Sequence, residues 1–118
     1  MLNQLVEYMS TPTPLDGIYQ ALSHPVRRDL VGRLSRVGAK GVRVTELAAP
    51  YAMSLAAVSK HIRVLEDSGL VRRSIVGRDH FLALQPKRLD DAAVWIARCQ
   101  RFWTERLDRL ETLLRDQK

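Results

Sequence analysis

From Leu15 onward, apolar residues return at every third or fourth position, and Leu15, Ile18, Tyr19 and Leu22 mark out a short helix. Ser23-His24-Pro25 interrupts the rhythm. Proline suits the first turn of a following helix, because the N–H groups of that turn have no partner within the helix. The next helix carries Val26, Leu30, Val31 and Leu34 on one side and is expected to end at Gly38 and Gly41. Val42 to Val44 reads as a brief strand. Thr45 then reads as the N-cap of a short helix, Glu46-Leu47-Ala48-Ala49, which Pro50 stops. Ser54 is a second N-cap candidate. After it Val58, Ile62 and Leu65 fall at i, i+4 and i+7, one stripe on a helix that Ser68-Gly69 closes.

The period then shortens. Leu70 to Val76 and His80 to Leu84 read as two strands around a Gly77-Arg78-Asp79 turn, with Pro86 ending the hairpin. From Leu89 to about Arg115 the helical rhythm returns, through Ala92 or Ala93, Ile96, Cys99, Trp103, Leu107, Leu110 and Leu114. Its other faces carry opposite charges four residues apart: Arg101 with Glu105, Glu105 with Arg109, and Glu111 with Arg115. A helix of about 27 residues spans roughly 40 Å. That exceeds the width of so small a domain, so part of its apolar face needs another chain. Residues 1–14 contain Ser10-Thr11-Pro12-Thr13-Pro14, which resists regular structure, and read as a flexible arm ahead of a single domain over 15–118.

Charge sharpens this picture. The 118 residues hold 19 Lys and Arg against 13 Asp and Glu, for a net charge of +6. Residues 54–88 carry seven bases and three acids, whereas residues 89–118 carry six of each. Most of the excess therefore sits on the helix after Ser54 and the hairpin, as expected for a polyanionic partner. No apolar run reaches the length of a membrane span, no secretory leader pattern is present, and the one cysteine, Cys99, cannot pair within the chain. A cytoplasmic location is the expectation. Catalytic chemistry has no foothold: there is no Ser/His/Asp order, no glycine-rich phosphate loop and no paired acids, so the chain is read as no enzyme.

The predicted fold class is mainly α with a small β-hairpin, in the order of a winged helix-turn-helix. Leu47, Val58, Ile62 and Leu65 would hold the second helix of the motif, freeing its opposite face for a DNA major groove. That face is small and polar at its start: Ser54, Ala56, Ala57, Ser59 and Lys60, followed by Arg63, with Leu55 placed to meet a thymine methyl. Thr45, His61, Arg72, Arg73 and Arg78 complete the candidate DNA-binding set.

Three segments carry a resemblance. They are Ala21-Leu22-Ser23-His24-Pro25-Val26-Arg27-Arg28, Val44-Thr45-Glu46-Leu47-Ala48, and the run from Met53 to Glu66 with its Val-Ser-x-His-apolar-x-x-Leu core. Together with Ser68-Gly69-Leu70-Val71 and the wing, they make residues 18–116 resemble the ArsR/SmtB family of winged-helix repressors. The resemblance implies a homodimeric regulator on a palindromic double-stranded DNA operator, its recognition helix on the bases and its hairpin on flanking backbone. It further implies a dimer built by the first and last helices. The candidate interface is Leu15, Ile18, Tyr19, Ile96, Cys99, Trp103, Leu107, Leu110 and Leu114. The run Phe102-Trp103-x-x-Arg106-Leu107-x-x-Leu110 is similar to a subgroup that does not sense metals. In keeping with this, the short helix before the turn has no thiol, the last helix has no histidine, and His24, His61 and His80 lie in separate elements. No metal or other cofactor is expected. Trp95, Phe102 and Trp103 read first as core, with a small-molecule inducer pocket as the rarer alternative. Two other readings compete: a MarR-like regulator responsive to small molecules, and a winged helix used for protein docking. The second would want an apolar or acidic recognition face.

Overall fold

The structure, a computed structural model, describes residues 14–116. The expected arm lies outside the described residues except for Pro14, which opens a helix. The elements are α1 (Pro14–Ala21), α2 (Pro25–Ser35), β1 (Val42–Arg43), α3 (Val44–Ala48), α4 (Leu55–Asp67), β2 (Val71–Val76), β3 (Asp79–Leu84) and α5 (Pro86–Asp116). The strands form one antiparallel sheet in the order β1-β3-β2. This is the winged helix-turn-helix order that the periodicity predicts.

Local chemistry sets most of the boundaries. At the start of α2 His24 is the N-cap, its Nδ1 accepting from the Val26 N–H at 3.1 Å, and Pro25 takes the first turn. The exposed carbonyls at the end of α1 are satisfied by arginines of α2. Arg27 donates to the carbonyls of Ala21 and Gln20, and Arg28 to that of Leu22. Ser54 caps α4 by accepting from the Ala57 N–H at 3.1 Å. At its other end Gly69 adopts φ +82, its N–H bonding to the Glu66 carbonyl while that of Leu70 reaches Leu65. This is the Schellman pattern, with Leu65 and Leu70 buried together beneath it.

Three boundaries differ from expectation. Thr45 is not a cap: Arg43, extended and paired to Phe81, takes that place with no side-chain bond, and Thr45 lies exposed inside α3. Strand pairing, a long-range contact, turns the chain there in place of a local side chain. The hairpin loop is only Gly77-Arg78, with Val76 opposite Asp79. Positive φ at Gly77 alone fits a type II′ turn. Pro86 does not merely end the hairpin. It opens α5, which runs 31 residues.

The core is a single cluster. Leu30, Val31 and Leu34 of α2 meet Leu47 of α3, the Val58–Ile62–Leu65 stripe of α4, and Leu70, Val71 and Leu82 of the wing. Gly41, at φ +78, lets β1 close onto β3: a Cβ there would stand 2.5 Å from the Leu82 carbonyl oxygen. Gly41→Ala is therefore expected to lower stability by about 1–3 kcal/mol, from a strained backbone and a steric clash together. Gly77 has positive φ but open space around it, so Gly77→Ala should cost about 1–2 kcal/mol at most. Urea midpoints of both variants compare the two; equal losses would argue against the clash at Leu82.

α5 leaves this core early. Ala92 is its only buried residue, and every described residue from Ala93 onward is exposed. Cys99, Trp103, Leu107 and Leu110 thus lie bare on a projecting helix, and the Glu111–Arg115 pair closes at 2.6 Å on its far side.

Candidate nucleic-acid interface

Helix α4, the second helix of the helix-turn-helix, is held from behind. Val58, Ile62 and Leu65 are buried, and side-chain bonds from α2 fix the turn that precedes the helix. Arg33 donates to the Leu47 carbonyl at 2.6 Å and lies over the Tyr51 ring, while the Tyr51 hydroxyl donates to Asp29. Burial first, and then that bond to Asp29, push the Tyr51 phenol above its ordinary value of 10.0, so it stays a donor. The turn between α3 and α4 is thereby pinned to α2 by polar contacts as well as by Leu47.

The opposite face of α4 is open. Ala56, Lys60 and Arg63 are exposed there, and Leu55 beside them is 54% exposed. Lys60 and Arg63 have no ion pair among the described residues. Ser59 and Ala57 are half-buried on the flanks of the helix, so Ser59 does not share the outward position expected for it. At 100° per residue Ser59 lies beside the Val58 stripe, not opposite it.

His61 is committed within the protein. Its ring packs on that of His24 at 4.3 Å between centroids, and its Nδ1 faces Arg27 Nη1 at 3.2 Å. Desolvation, then the charge it would place next to His24 and next to Arg27, hold its pKa below the ordinary 6.5. The folded chain therefore takes up this proton at lower pH than the unfolded chain does. Stability is fully present above 6.5 and should fall as pH drops from there through the lowered folded value. Urea midpoints a unit above and a unit below 6.5 should show the loss, and His61→Gln should flatten it. An unchanged slope in that variant would assign the loss to other groups.

The wing distributes its arginines unequally. Successive strand residues face opposite sides. Arg73 shares a face with Leu82, turned toward α4, and is fully engaged: its guanidinium forks onto Glu66 at 2.8 and 3.3 Å and meets His80 at 3.0 Å. It joins the wing to the recognition helix instead of reaching outward. Arg72 pairs with Ala83 on the other face and lines a hollow with Leu34, Val37 and Gln85, away from α4. Arg78 stays exposed at the tip. Between the wing and α3 lies an open hollow of about 270 Å³ lined by Arg43, Thr45, Arg73, Arg78 and His80. Arg43 is the basic residue that sequence reasoning missed. It lies over the Phe81 ring and pairs loosely with Asp79 at 3.4 Å. Its place at the end of a strand beside the helix-turn-helix was the available clue.

Among the described residues, no three His, Cys, Asp or Glu side chains gather as a metal-ligand set, and no helix is long and apolar enough to cross a membrane. Among the candidate dimer residues of α1, one departs from expectation. Ile18 is 1% exposed, inside the protomer core, and unavailable to a partner. Tyr19 is half-buried, edge-on to Trp95 at 5.9 Å with its hydroxyl near the Ala92 carbonyl.

Residues 22–74, which span α2 to α4 and the start of the wing, match a family described as a helix-turn-helix domain. The chain is 35% identical over 99 residues to the HTH-type transcriptional regulator Rv2034 of Mycobacterium tuberculosis, covering 84% of this chain and 87% of that protein. The solved structure of the ArsR family transcriptional regulator RHA00566 superposes with a TM-score of 0.71 at 40% identity, covering 78% of this chain and 98% of that one. The chain belongs to the ArsR family. An ArsR-like regulator from Rhodococcus sp. RHA1 agrees, with a TM-score of 0.68 at 25% identity over 85% of this chain and 92% of its own. As an ArsR-family protein the chain is a winged helix-turn-helix transcriptional regulator and not an enzyme. In this ArsR-family regulator Lys60, Arg63 and Arg78 are exposed cations with no ion pair among the described residues, and Arg43 is partly shared by Asp79.

Proposed function

We propose that the protein is a homodimeric repressor that binds a palindromic operator, reading bases with α4 and backbone with the wing. The observation that carries the reading is the face opposite the Val58–Ile62–Leu65 stripe, where Lys60 and Arg63 stand exposed and without ion pairs beside small residues. Small side chains allow close approach to base edges, and the two cations supply donors. Within this reading Leu55 and Ala56 make apolar contacts, Ser54 and Thr45 meet phosphate, and Arg43 joins Arg78 on the flanking backbone. Arg73 and His61 hold the frame, and Arg72 faces away from α4. The docking-module alternative loses its footing, since the outward face is basic.

The exposed apolar face of α5 supports two-fold pairing. The radius of gyration is 19.9 Å, against about 13–14 Å for a compact chain of this length. α5 adds to that spread, since from Ala93 onward its apolar face is exposed among the described residues. A second copy would cover Ile96, Cys99, Trp103, Leu107, Leu110 and Leu114 and set two recognition helices about one DNA turn apart. Selection of bound duplexes from a random pool tests the reading. Enrichment of inverted repeats with half-sites about 10 base pairs apart supports it, and reduced transcription from a promoter overlapping such a site supports repression. Enrichment of single, unrepeated sites would count against the dimer, and raised transcription against a repressor.

A further inference from the structure

On the flank of α5, turned away from the Ile96–Leu114 stripe, a groove of about 450 Å³ runs along the junction with α1. Leu15, Val94 and Trp95 give it apolar walls, and Arg88 and Arg98 stand at it against a single acid, Asp91. Neither guanidinium has a hydrogen bond or ion pair among the described residues. Trp95 is 50% exposed, one edge of its ring system held by Tyr19. One aromatic wall and two guanidinium groups without a partner among the described residues match a flat apolar body that ends in a carboxylate: the ring stacks, and the fork of an arginine donates to both oxygens.

A second observation links this groove to the recognition helix. The Arg88 stem lies directly over Gly69, where a Cβ would stand 3.1 Å from its Nε and 3.3 Å from its Cγ. Gly69 is the residue whose positive φ closes α4. One side chain thus touches both the groove and the end of α4.

We propose that the groove is an effector site for a small organic carboxylate with an aromatic or aliphatic body. A carboxylate held between Arg98 and Arg88 draws the Arg88 guanidinium off Gly69, uncovers the closing turn of α4 and lowers affinity for the operator. By linkage, bound operator weakens carboxylate binding by the same factor. The effect on DNA rests on the function proposed above, whereas the binding of the carboxylate does not.

The test has two arms, both on the full chain. In the first, phenylbutyrate, phenylbutanol and phenylbutylamine are titrated into a Trp103→Phe variant, whose remaining tryptophan fluorescence comes from Trp95. Phenylbutyrate should give a saturable change, with the alcohol about tenfold weaker and the amine weaker still. Arg98→Gln should remove most of the difference between acid and alcohol, and Arg98→Lys should restore part of it. Equal binding of acid and alcohol overturns the carboxylate assignment. No response, with Trp95 shielded from acrylamide, overturns it in favour of a groove already filled by this chain or a second copy. No response with Trp95 open to acrylamide overturns it outright. In the second arm, phenylbutyrate should weaken operator binding by the wild type several-fold but leave Arg88→Gln unchanged. An equal response in Arg88→Gln refutes the route through Gly69. Success in the first arm by a protein that binds no DNA would leave the ligand site standing and remove the proposed function.

Discussion

Leu107→Glu together with Leu110→Glu is expected to turn the protein into a monomer and cut operator affinity by about 10²–10⁴-fold, the gain that joining two half-site contacts normally brings. Both leucines project from the exposed part of α5, which leaves the core formed by the other described elements, at 49% and 54% exposed. Neither supports the core of Leu30, Leu34, Ile62 and Leu82, so the fold of each protomer should survive. In the proposed dimer the same positions would face each other across the two-fold axis. Four carboxylates would then have to leave water beside Trp103 and Cys99, at a cost of several kcal/mol for each charge left unpaired. Sedimentation at micromolar concentration and anisotropy on the selected operator read the two effects together. A double variant that sediments as a dimer and binds like wild type would place the dimer contact elsewhere, and the apolar face of α5 would need another explanation.

The second large effect separates the recognition helix from the wing. Lys60 stands on the outward face of α4, where the proposed function has it read base edges, and Arg78 stands at the tip of the type II′ turn, where the same proposal has it meet backbone. A base contact carries about 1–3 kcal/mol of discrimination, whereas a phosphate contact changes affinity for every sequence alike. Lys60→Ala should therefore flatten preference at one or two positions in each half-site. Arg78→Ala should weaken operator and scrambled duplex in parallel and reduce the salt slope by about one per subunit. Measuring both variants on both duplexes at several salt concentrations decides the matter. Loss of sequence preference in Arg78→Ala with none in Lys60→Ala would exchange the two roles. Arg73→Ala offers a contrast, because its loss frees Glu66 and loosens the wing from α4, and so should lower stability and DNA affinity together.

What the chain revealed on its own was whatever local chemistry encodes. The Val58–Ile62–Leu65 stripe follows from helical period, the start of α4 from a serine whose hydroxyl meets an N–H three residues on, and its end from a glycine that alone tolerates φ +82. The segments around Val-Ser-x-His carried the family. Other features belong to contacts between residues far apart in sequence, and periodicity is silent about those. Arg72 and Arg73 had to face opposite ways by strand parity, but only the docking of the sheet on α4 decided that Arg73 is tied to Glu66 and His80 while Arg72 turns from the helix. Thr45 looked like a cap by residue type, and pairing of β1 with β3 moved the helix start to Arg43. Ile18 and Leu107 carry the same apolar signature on their helices. Ile18 meets the core of its own chain and Leu107 meets none. An apolar stripe states that a surface must be covered, and the tertiary structure determines whether the cover lies within the same chain.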